Sequence, residues 1–472
     1  MSINFFIMKI STPTNAQPSL DPGFEPAVLW NAAYIAKANK HTRSRSVKIG
    51  IERPEGLGWV YETRLLPAES AFENLNFRYV ERLLKTLLWA WGGSRIMLGG
   101  ADELIPPLRK CYSTVGPRAF DASFIGPRCF DEALTINAGE IRQQASSSAQ
   151  SKLENKRQLK GCRIGFDLGG SDRKCAALVD GEVVFSEEIK WNPYFESNPD
   201  YHLHGIRDSI ARAAKHLPRV DAIGGSAAGI YIDNEPRVAS LFRGIADGDY
   251  ESRVRPIFHK LRAEWGNVPM VIANDGDVTA LAGAMALNQN GVLGLAMGTS
   301  LAAGYIDPIG NITGRLNELA FIPIDYRQDA AIDEWSKDHG CAVQYASQQA
   351  VARLLPAAGI EVDPAMPLPE RLELVQSKVS AGDERPQAIY DTLGCYLGYF
   401  IAQLHDLYDF RYLLTLGRVT SGKGGDWMLE RAAELLQTVF PEVAEKTVFQ
   451  SADEKTKRHG QAIAAASLPV ID

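Results

Sequence analysis

The stretch that decides the fold is CRIGFDLGGSDRKCAALVDGEVVFSEEIKW, residues 162–191. It contains three runs of β-type residues, over 162–168, 173–180 and 182–190, which Gly169-Gly170 and Asp180-Gly181 separate. A glycine-bearing pair between two such runs is a strong signal for a β-hairpin. The stretch therefore predicts three antiparallel strands at the start of an α/β unit.

The same unit continues to the end of the chain, at residue 472. In chain order, the pattern predicts a helix over 200–216, a strand over 219–224, a strand leading into a helix within 268–287, a hairpin over 294–307, a helix over 384–407, a strand over 412–416 and a helix over 425–439. Strands that alternate with helices in this way indicate an α/β body over residues 161–472.

Three segments precede this body. Residues 1–25 are rich in Ser, Pro, Thr and Asn, which predicts a flexible leader. Residues 26–138 contain a predicted hairpin, with strands 46–53 and 59–66, and a predicted helix over 78–91, so they form an N-terminal α/β extension. Residues 139–160 are almost all polar and are predicted to be a linker. The extension is either a partial duplicate of a lobe or a cap over the cleft of the body.

Composition excludes several classes of protein. Hydrophobic residues make up 45% of the chain, enough to fill sizeable cores. The 50 basic and 57 acidic residues give a net charge of −7, which predicts neither a nucleic-acid partner nor an anionic membrane surface. The six cysteines are scattered, with no CxxC pair, and no signal peptide or long apolar run is present. These features predict a cytoplasmic protein.

The first candidate site is the turn Asp167-Leu168-Gly169-Gly170-Ser171. Two glycines at a strand reversal let backbone N–H groups approach a phosphate closely, because no Cβ obstructs them. An aspartate directly before the turn could hold Mg²⁺ through water, and the serine adds a hydroxyl donor. An ordinary tight hairpin would use the same glycines, so this motif alone does not decide between the two.

A second turn of similar chemistry is Gly298-Thr299-Ser300, again within a predicted hairpin. Its threonine and the neighbouring amides could face a β- or γ-phosphate. Two such turns, about 130 residues apart, are what a cleft between two lobes would require. Two purely structural turns would less easily show this pattern by accident.

Asn274 and Asp275 follow a predicted strand directly, at the place where α/β folds bind their ligands. Both residue types are also common helix N-caps, and one of them would suffice for a cap. The functional interpretation is that Asp275 accepts a proton from a substrate hydroxyl while Asn274 orients a neighbouring hydroxyl.

Together these three motifs resemble those of the ROK family, which comprises repressors, uncharacterised reading frames and sugar kinases. The family belongs to the actin-like ATPases, which include hexokinases and heat-shock ATPases. Its DxGGT and GTG phosphate loops are similar to 167–171 and 298–300, and its Asn-Asp pair is similar to Asn274-Asp275. The segment 222–233, which includes Gly229, and the turn 416–422, which includes Gly417 and Gly422, resemble two further family motifs. The resemblance spans residues 162 to about 468.

The resemblance implies a two-lobed actin-like ATPase fold, which is ribonuclease H-like, with ATP and Mg²⁺ as cofactors and a carbohydrate as substrate. It implies Asp275 as the catalytic base and Asn274, Glu318 and Gly229 as sugar-binding residues. Phosphates and nucleotide would be bound by the residues Asp167, Gly169, Gly170, Ser171, Gly298, Thr299, Ser300, Gly417 and Gly422. Homodimers are common in this family, so a homodimer is an expectation here.

The sequence departs from the family at the sugar and zinc motifs. Phe321 stands where the ExGH motif has its histidine, and Val343 stands where a second sugar-binding glutamate is usual. Of the family's three zinc cysteines this chain keeps Cys341, while Glu334 and Ser336 occupy the other two positions. One thiolate cannot make a four-coordinate zinc site, so no zinc is expected. Plain glucose is not the expected substrate, because half of the sugar contacts are apolar here.

The sequence therefore predicts ATP-dependent phosphorylation of a hydroxyl on a sugar or sugar derivative. The alternative is a non-catalytic sugar or nucleotide sensor on the same fold, for which the lost sugar contacts would do no harm. A DNA-binding repressor is disfavoured, because residues 1–160 lack the pattern of a winged helix-turn-helix. A chaperone-like or filament ATPase fits the phosphate loops equally well but fits the Asn-Asp pair less well.

Overall fold

The computed structural model of the chain describes residues 16–139, 159–451 and 454–471. These residues form an N-terminal extension and two lobes, each built on its own β-sheet. Most of the predicted linker lies outside the described residues, as do residues 1–15 of the predicted leader.

The extension is an α/β unit with a four-stranded sheet in the order β2-β1-β3-β4. Its elements are α1 (Ala27–Lys40), β1 (Arg45–Glu52), β2 (Gly58–Leu65), α2 (Glu73–Trp91), β3 (Arg95–Gly99), α3 (Ile105–Cys111), α4 (Ala119–Ser123) and β4 (Thr135–Ala138). Strands β1 and β2 pair antiparallel, as the Pro/Gly-rich turn between them predicts.

The first lobe has a five-stranded sheet in the order β11-β8-β5-β6-β7. Its elements are β5 (Cys162–Leu168), β6 (Asp172–Val179), β7 (Glu182–Lys190), α5 (Pro199–Ala214), β8 (Ala222–Ala227), β9 (Ile230–Ile232), β10 (Glu235–Val238), α6 (Ile257–Glu264) and β11 (Met270–Asn274). The three strands predicted from residues 162–191 are present, and each pairs antiparallel with the next.

The second lobe has a four-stranded sheet in the order β13-β12-β14-β15. Its elements are α7 (Asp275–Leu287), β12 (Val292–Met297), β13 (Leu301–Ile306), α8 (Gln348–Leu354), α9 (Leu368–Ser380), α10 (Arg385–His405), β14 (Tyr412–Leu416), α11 (Gly422–Val439), α12 (Pro441–Lys446) and β15 (Val448–Ser451).

The last helix, α13 (Glu454–Ala466), returns to the first lobe and packs on β5 and β8. The approach is very close at two glycines. A Cβ on Gly165 would lie 1.8 Å from the carbonyl oxygen of Ala462, and a Cβ on Gly224 would lie 1.7 Å from that of Ala465. These two glycines are therefore required for the packing of the C-terminal helix.

The extension and the second lobe share one apolar core. The backbone N–H groups of Leu316, Asn317 and Glu318 donate to the last carbonyls of α2, at distances of 3.0–3.1 Å. The extension touches the first lobe through ion pairs, in which the Asp131 carboxylate contacts Arg237 and Arg255. It is therefore an integral part of the second lobe rather than a separate unit tethered to it.

Residues 16–25 differ from the predicted flexible leader. Phe24 is 6% exposed and packs against the rings of Tyr345 and Tyr396. The Asp21 carboxylate accepts a hydrogen bond from the Tyr396 hydroxyl at 2.5 Å and pairs with Arg327 at 2.8 Å. The prediction of a flexible leader was wrong for residues 16–25, because it rested on their polar composition alone. Their partners lie some 300 residues later in the chain, and composition gives no information about them.

Candidate functional site

Three parallel strands of the first lobe end at the same edge of the sheet. Asn274 of β11 is in register with Ala227 of β8, and Ala227 is in register with Leu168 of β5. The residues that follow these strands, which include the first glycine turn, Gly229 and Asp275, therefore leave the sheet side by side. This is the edge at which open α/β sheets bind ligands. We call it the polar edge.

Asn274 connects two parts of the polar edge. Its side-chain oxygen accepts a hydrogen bond from the N–H of Gly276 at 2.7 Å and so caps α7. Its side-chain nitrogen donates to the carbonyl of Gly229, also at 2.7 Å. Gly229 has φ +126°, and a Cβ there would lie 2.3 Å from the carbonyl oxygen of Val238. Both the oxygen and the nitrogen of the Asn274 side chain are thus hydrogen-bonded to the protein backbone.

Asp275 is the first residue of α7 and is half-buried. Burial, together with the negative charge of nearby Asp167, raises the pKa of Asp275 to about 6. Asp167 is itself buried, accepts a hydrogen bond from the Ser226 hydroxyl at 2.7 Å and lies 3.6 Å from the Lys174 ammonium group. Burial also raises the pKa of Asp167. A carboxylate with such a pKa at the end of a strand is suited to proton transfer near neutral pH.

Two more carboxyl groups lie near Asp275. Burial and the charges of Asp275 and Asp277 raise the pKa of Glu318 to about 7. Asp277 is 6% exposed, and its carboxylate accepts hydrogen bonds from the Tyr305 N–H and the Asn317 side chain at 3.0 Å and 2.8 Å. Asp277 was not among the predicted site residues, although the motif Asn-Asp-Gly-Asp contains it.

The first glycine turn follows β5. The N–H of Gly169 closes the turn on the carbonyl of Asp172 at 2.9 Å, and Ser171 is exposed at its tip. A Cβ on Gly170 would lie 2.1 Å from the hydroxyl of Tyr194, so any larger residue there would require the tyrosine side chain to move. The predicted strand reversal at these glycines is present.

The second glycine turn and the 416–422 turn lie together in the second lobe. The N–H of Gly298 bonds to the carbonyl of Ser300, while Thr299 and Ser300 are exposed. Gly417 has φ +94°, and a Cβ there would lie 2.4 Å from the carbonyl oxygen of Met297. Gly422 has φ +68° at the start of α11, in open space. The predicted phosphate-binding residues thus form two groups, one in each lobe.

A cavity of about 300 Å³ lies beside the polar edge. Gly229 and Asn274 are the predicted site residues that line it, and Asp277 contributes to its wall. The remaining wall includes the extension residues Arg53, Glu55 and Leu57, the first-lobe residue Asp233, and the second-lobe residues Gly314, Arg315 and Leu316. The sequence predicts residues 54–58 only as the turn of a hairpin, since nothing local indicates that this turn reaches another lobe.

Parts of the segment of the degenerate sugar and zinc motifs, residues 317–343, pack against the extension. We call it the covered segment. The Phe321 ring lies 4.2 Å from the ring of Trp89, between centroids, and 5.6 Å from that of Phe120. Cys341 is fully buried, its thiol lies 3.7 Å from the Ser336 hydroxyl, and burial raises its pKa to about 12. Among the residues that the structure describes, no group of three or more His, Cys, Asp or Glu side chains is placed to hold a metal ion.

Carboxylate oxygens are ligands that Mg²⁺ prefers. Asp167 and Asp275 are close enough for the charge of Asp167 to raise the pKa of Asp275, and a cation nearby would relieve that repulsion. The donor chemistry of Asp167 therefore fits a water-mediated magnesium site.

Within the described ranges, none of the helices is both long and apolar enough to cross a membrane.

No protein-family model matches the chain, and no curated protein matches it. Solved structures do. The ROK hexokinase from Thermus thermophilus is similar over 65% of this chain and 97% of its own, with 18% identity and a TM-score of 0.51. A ROK family glucokinase from Streptomyces griseus, in complex with glucose and AMPPNP, is similar over 66% of this chain and 99% of its own, with 20% identity and a TM-score of 0.46.

A ROK family transcriptional regulator, a homologue of the E. coli MLC protein, is similar over 66% of this chain and 79% of its own. Its identity is 19% and its TM-score 0.49. The Thermus thermophilus hexokinase match covers nearly all of that enzyme and leaves about a third of this chain unmatched. The predicted α/β fold is therefore confirmed: this chain has the two-lobed fold of a ROK hexokinase.

Proposed function

We propose that this protein is a ROK family kinase that transfers a phosphoryl group from ATP to a hydroxyl of a sugar or sugar derivative, with Asp275 as the base. The observation that carries the proposal is the position of Asp275. It is half-buried at the polar edge. The charge of Asp167 contributes to raising the pKa of Asp275 to about 6, and the charge of Asp275 in turn raises the pKa of Glu318.

The chemistry required of the protein in such a transfer is mostly positioning and charge stabilisation. With a pKa of about 6, Asp275 is mostly ionised at neutral pH and can accept the proton of the attacking hydroxyl. Glu318 would bind a second hydroxyl of the sugar. Asn274 caps α7 and holds Gly229, so its contribution is to fix the position of the neighbouring base.

The glycine turns would hold the nucleotide. The exposed tips at Ser171 and at Thr299-Ser300 can present backbone N–H and hydroxyl donors to phosphate oxygens. Gly417 and Gly422, which have positive φ values, would border the nucleoside. Asp167 would hold Mg²⁺ through water, and the metal, when bound, would neutralise charge on the phosphates.

The test is a panel of hexoses and amino sugars with Mg-ATP, in which turnover of the wild type and of Asp275→Asn is compared. We expect the substitution to lower kcat by about 10²- to 10⁴-fold, because it removes the base and keeps the shape of the side chain. Asp329→Asn, at an exposed position, is the matched control and should leave kcat unchanged. Equal turnover by the wild type and Asp275→Asn would contradict the proposal. Sugar binding without any wild-type turnover would favour the sensor instead.

A further inference from the structure

Two arginines line the cavity beside the polar edge, and they come from different parts of the molecule. Arg53 directly follows β1 of the extension, and Arg315 belongs to the second lobe. They are neighbours, because the Arg53 guanidinium donates a hydrogen bond to the carbonyl of Gly314. Neither residue was predicted as part of a site, and both are far in sequence from the glycine turns.

The guanidinium of Arg53 has mostly neutral partners. The residue is 6% exposed, and it donates to the carbonyls of Trp91 and Gly92 at 3.3 Å and 3.4 Å. Its nearest carboxylate belongs to Glu55, which lies 3.8 Å away and is exposed to solvent. Burial lowers the pKa of Arg53, because this surrounding stabilises the charge less well than water does. A buried cation whose counter-ion is as distant and as exposed as Glu55 is costly, and it is suited to a ligand that supplies a closer one.

Arg315, like Arg53, has neutral groups as its close partners. It donates to the carbonyl of Leu407 at 2.6 Å, and its guanidinium lies 5.0 Å from the ring of Tyr408 and 5.6 Å from that of Trp91. Its Nε atom is buried and has no hydrogen-bond partner. In the part of the chain that the structure describes, Arg315 forms no ion pair with a carboxylate, in contrast to most of the other arginines discussed above.

Three acidic residues line the same cavity, and none of them neutralises these arginines fully. Glu55 and Asp233 are exposed, where solvent screens their charges. Asp277 is buried, but its carboxylate already accepts two hydrogen bonds, and its pKa is raised to about 7. The cavity wall therefore carries two guanidinium groups, two carboxylates that solvent screens and one buried carboxyl group that is only partly ionised at neutral pH.

We propose that the acceptor sugar carries an anionic substituent, a carboxylate or a phosphate, which Arg53 and Arg315 bind in this cavity. This inference rests on the proposed function, which places the acceptor beside the polar edge. It also accounts for the apolar residues at 321 and 343, since charged contacts from the extension would replace the lost hydrogen bonds to neutral hydroxyls. Guanidinium groups recognise both anions through paired N–H donors.

The test measures binding by calorimetry without ATP, so that it does not depend on turnover. The probes are glucuronate, galacturonate, glucose 6-phosphate and galactose 6-phosphate, each compared with its uncharged amide or parent hexose. We expect at least one anionic probe to bind tenfold or more tightly than its neutral counterpart. The uronates and the 6-phosphates then distinguish a carboxylate from a phosphate. If every neutral probe binds as tightly as its charged counterpart, the inference is wrong.

Variants locate the contact. Arg315→Gln should remove the tenfold preference, and Arg53→Lys, which keeps the charge but loses the planar fork, should reduce it about threefold or more. Arg64→Gln, at an exposed position on β2, is the control and should preserve it. Circular dichroism checks that each variant is folded. A folded Arg315→Gln protein that keeps the full preference would overturn the inference. Binding of an anionic probe without turnover would support this inference while contradicting the kinase proposal.

Discussion

The polar edge and the covered segment both resemble sugar-kinase motifs in sequence, but they have different surroundings. At the polar edge, Asp275 and Ser171 keep some contact with solvent, and the side chain of Asn274 bonds to Gly229 and Gly276 in the adjacent turns. In the covered segment, Phe321 packs against aromatic rings of the extension. The comparison teaches that the segment that departs from the sugar motif packs against the extension, whereas the segments that resemble the phosphate motifs keep exposed turns.

The covered segment is also held by buried charge. Asp338 lies 2.8 Å from Lys85 and 2.6 Å from Arg118, and all three side chains are nearly or fully buried. Lys85 contacts Asp121 as well, at 3.3 Å. By resemblance, a zinc ion would hold this loop in the family. In this chain basic side chains of the extension contact the loop instead, and one of them, Lys85, belongs to α2.

The largest expected effect comes from breaking this buried network with Lys85→Met. The substitution leaves Asp121 without its buried cation and removes one of the cations that contact Asp338, and the free energy of unfolding should fall by about 3–5 kcal/mol. Urea unfolding at pH 7 measures it. Lys110→Met, at an exposed position in α3, is the control and should change stability by less than about 0.5 kcal/mol. A loss below 1 kcal/mol for Lys85→Met would mean that the apolar core alone holds the extension.

The next effect concerns the pH dependence of stability at Asp277. Its pKa is about 7 in the folded protein against 3.8 ordinarily, so the folded state binds the proton more tightly than the unfolded state. That contribution is complete below pH 4 and is lost as the pH rises towards 7. Asp277→Asn, which is neutral throughout, should therefore gain stability relative to the wild type by about 2–3 kcal/mol between pH 5 and pH 8.

Urea unfolding at pH 5, 6, 7 and 8 measures this difference. Asp426→Asn, at an exposed position in α11, is the control, and its difference from the wild type should stay constant over the same range. A difference for Asp277→Asn that does not depend on pH would mean that Asp277 keeps its ordinary pKa in the folded protein.

The third prediction addresses the covered segment directly through Phe321→His, which restores the family's residue type. If the only consequence of phenylalanine at position 321 were the absence of a sugar-binding histidine, the substitution would tighten glucose binding. We expect no gain in glucose affinity and a loss of about 2 kcal/mol in unfolding free energy, because a polar ring replaces an apolar one beside Trp89. Phe321→Leu should cost about half as much. Tighter binding of glucose by Phe321→His would show that the packing against the extension is incidental.

The same contrast explains what the sequence could predict. The antiparallel strands around Gly169-Gly170 and the strand that runs into a helix at Asn274 depend on neighbouring residues, and both were predicted within a few positions. The position of Arg53 in the cavity and the partners of Phe321 depend on contacts between segments far apart in the chain. No local pattern encodes such contacts, which is why the sequence predicted candidate residues at the polar edge and left the role of the extension open.

The smallest expected effect tests the nucleotide side with two matched glycines. Gly422 and Gly382 have φ values of +68° and +80°, and a Cβ at either would meet no atom within 4 Å. Alanine should therefore cost each position only backbone strain, about 1 kcal/mol of unfolding free energy. Gly422 begins α11 beside Gly417, whereas Gly382 follows the end of α9. If the 416–422 turn borders the nucleotide, Gly422→Ala should raise the KM for ATP by about threefold, whereas Gly382→Ala should leave it unchanged. Because the backbone strain is equal at the two positions, a difference in KM would reflect only their distance from the nucleotide.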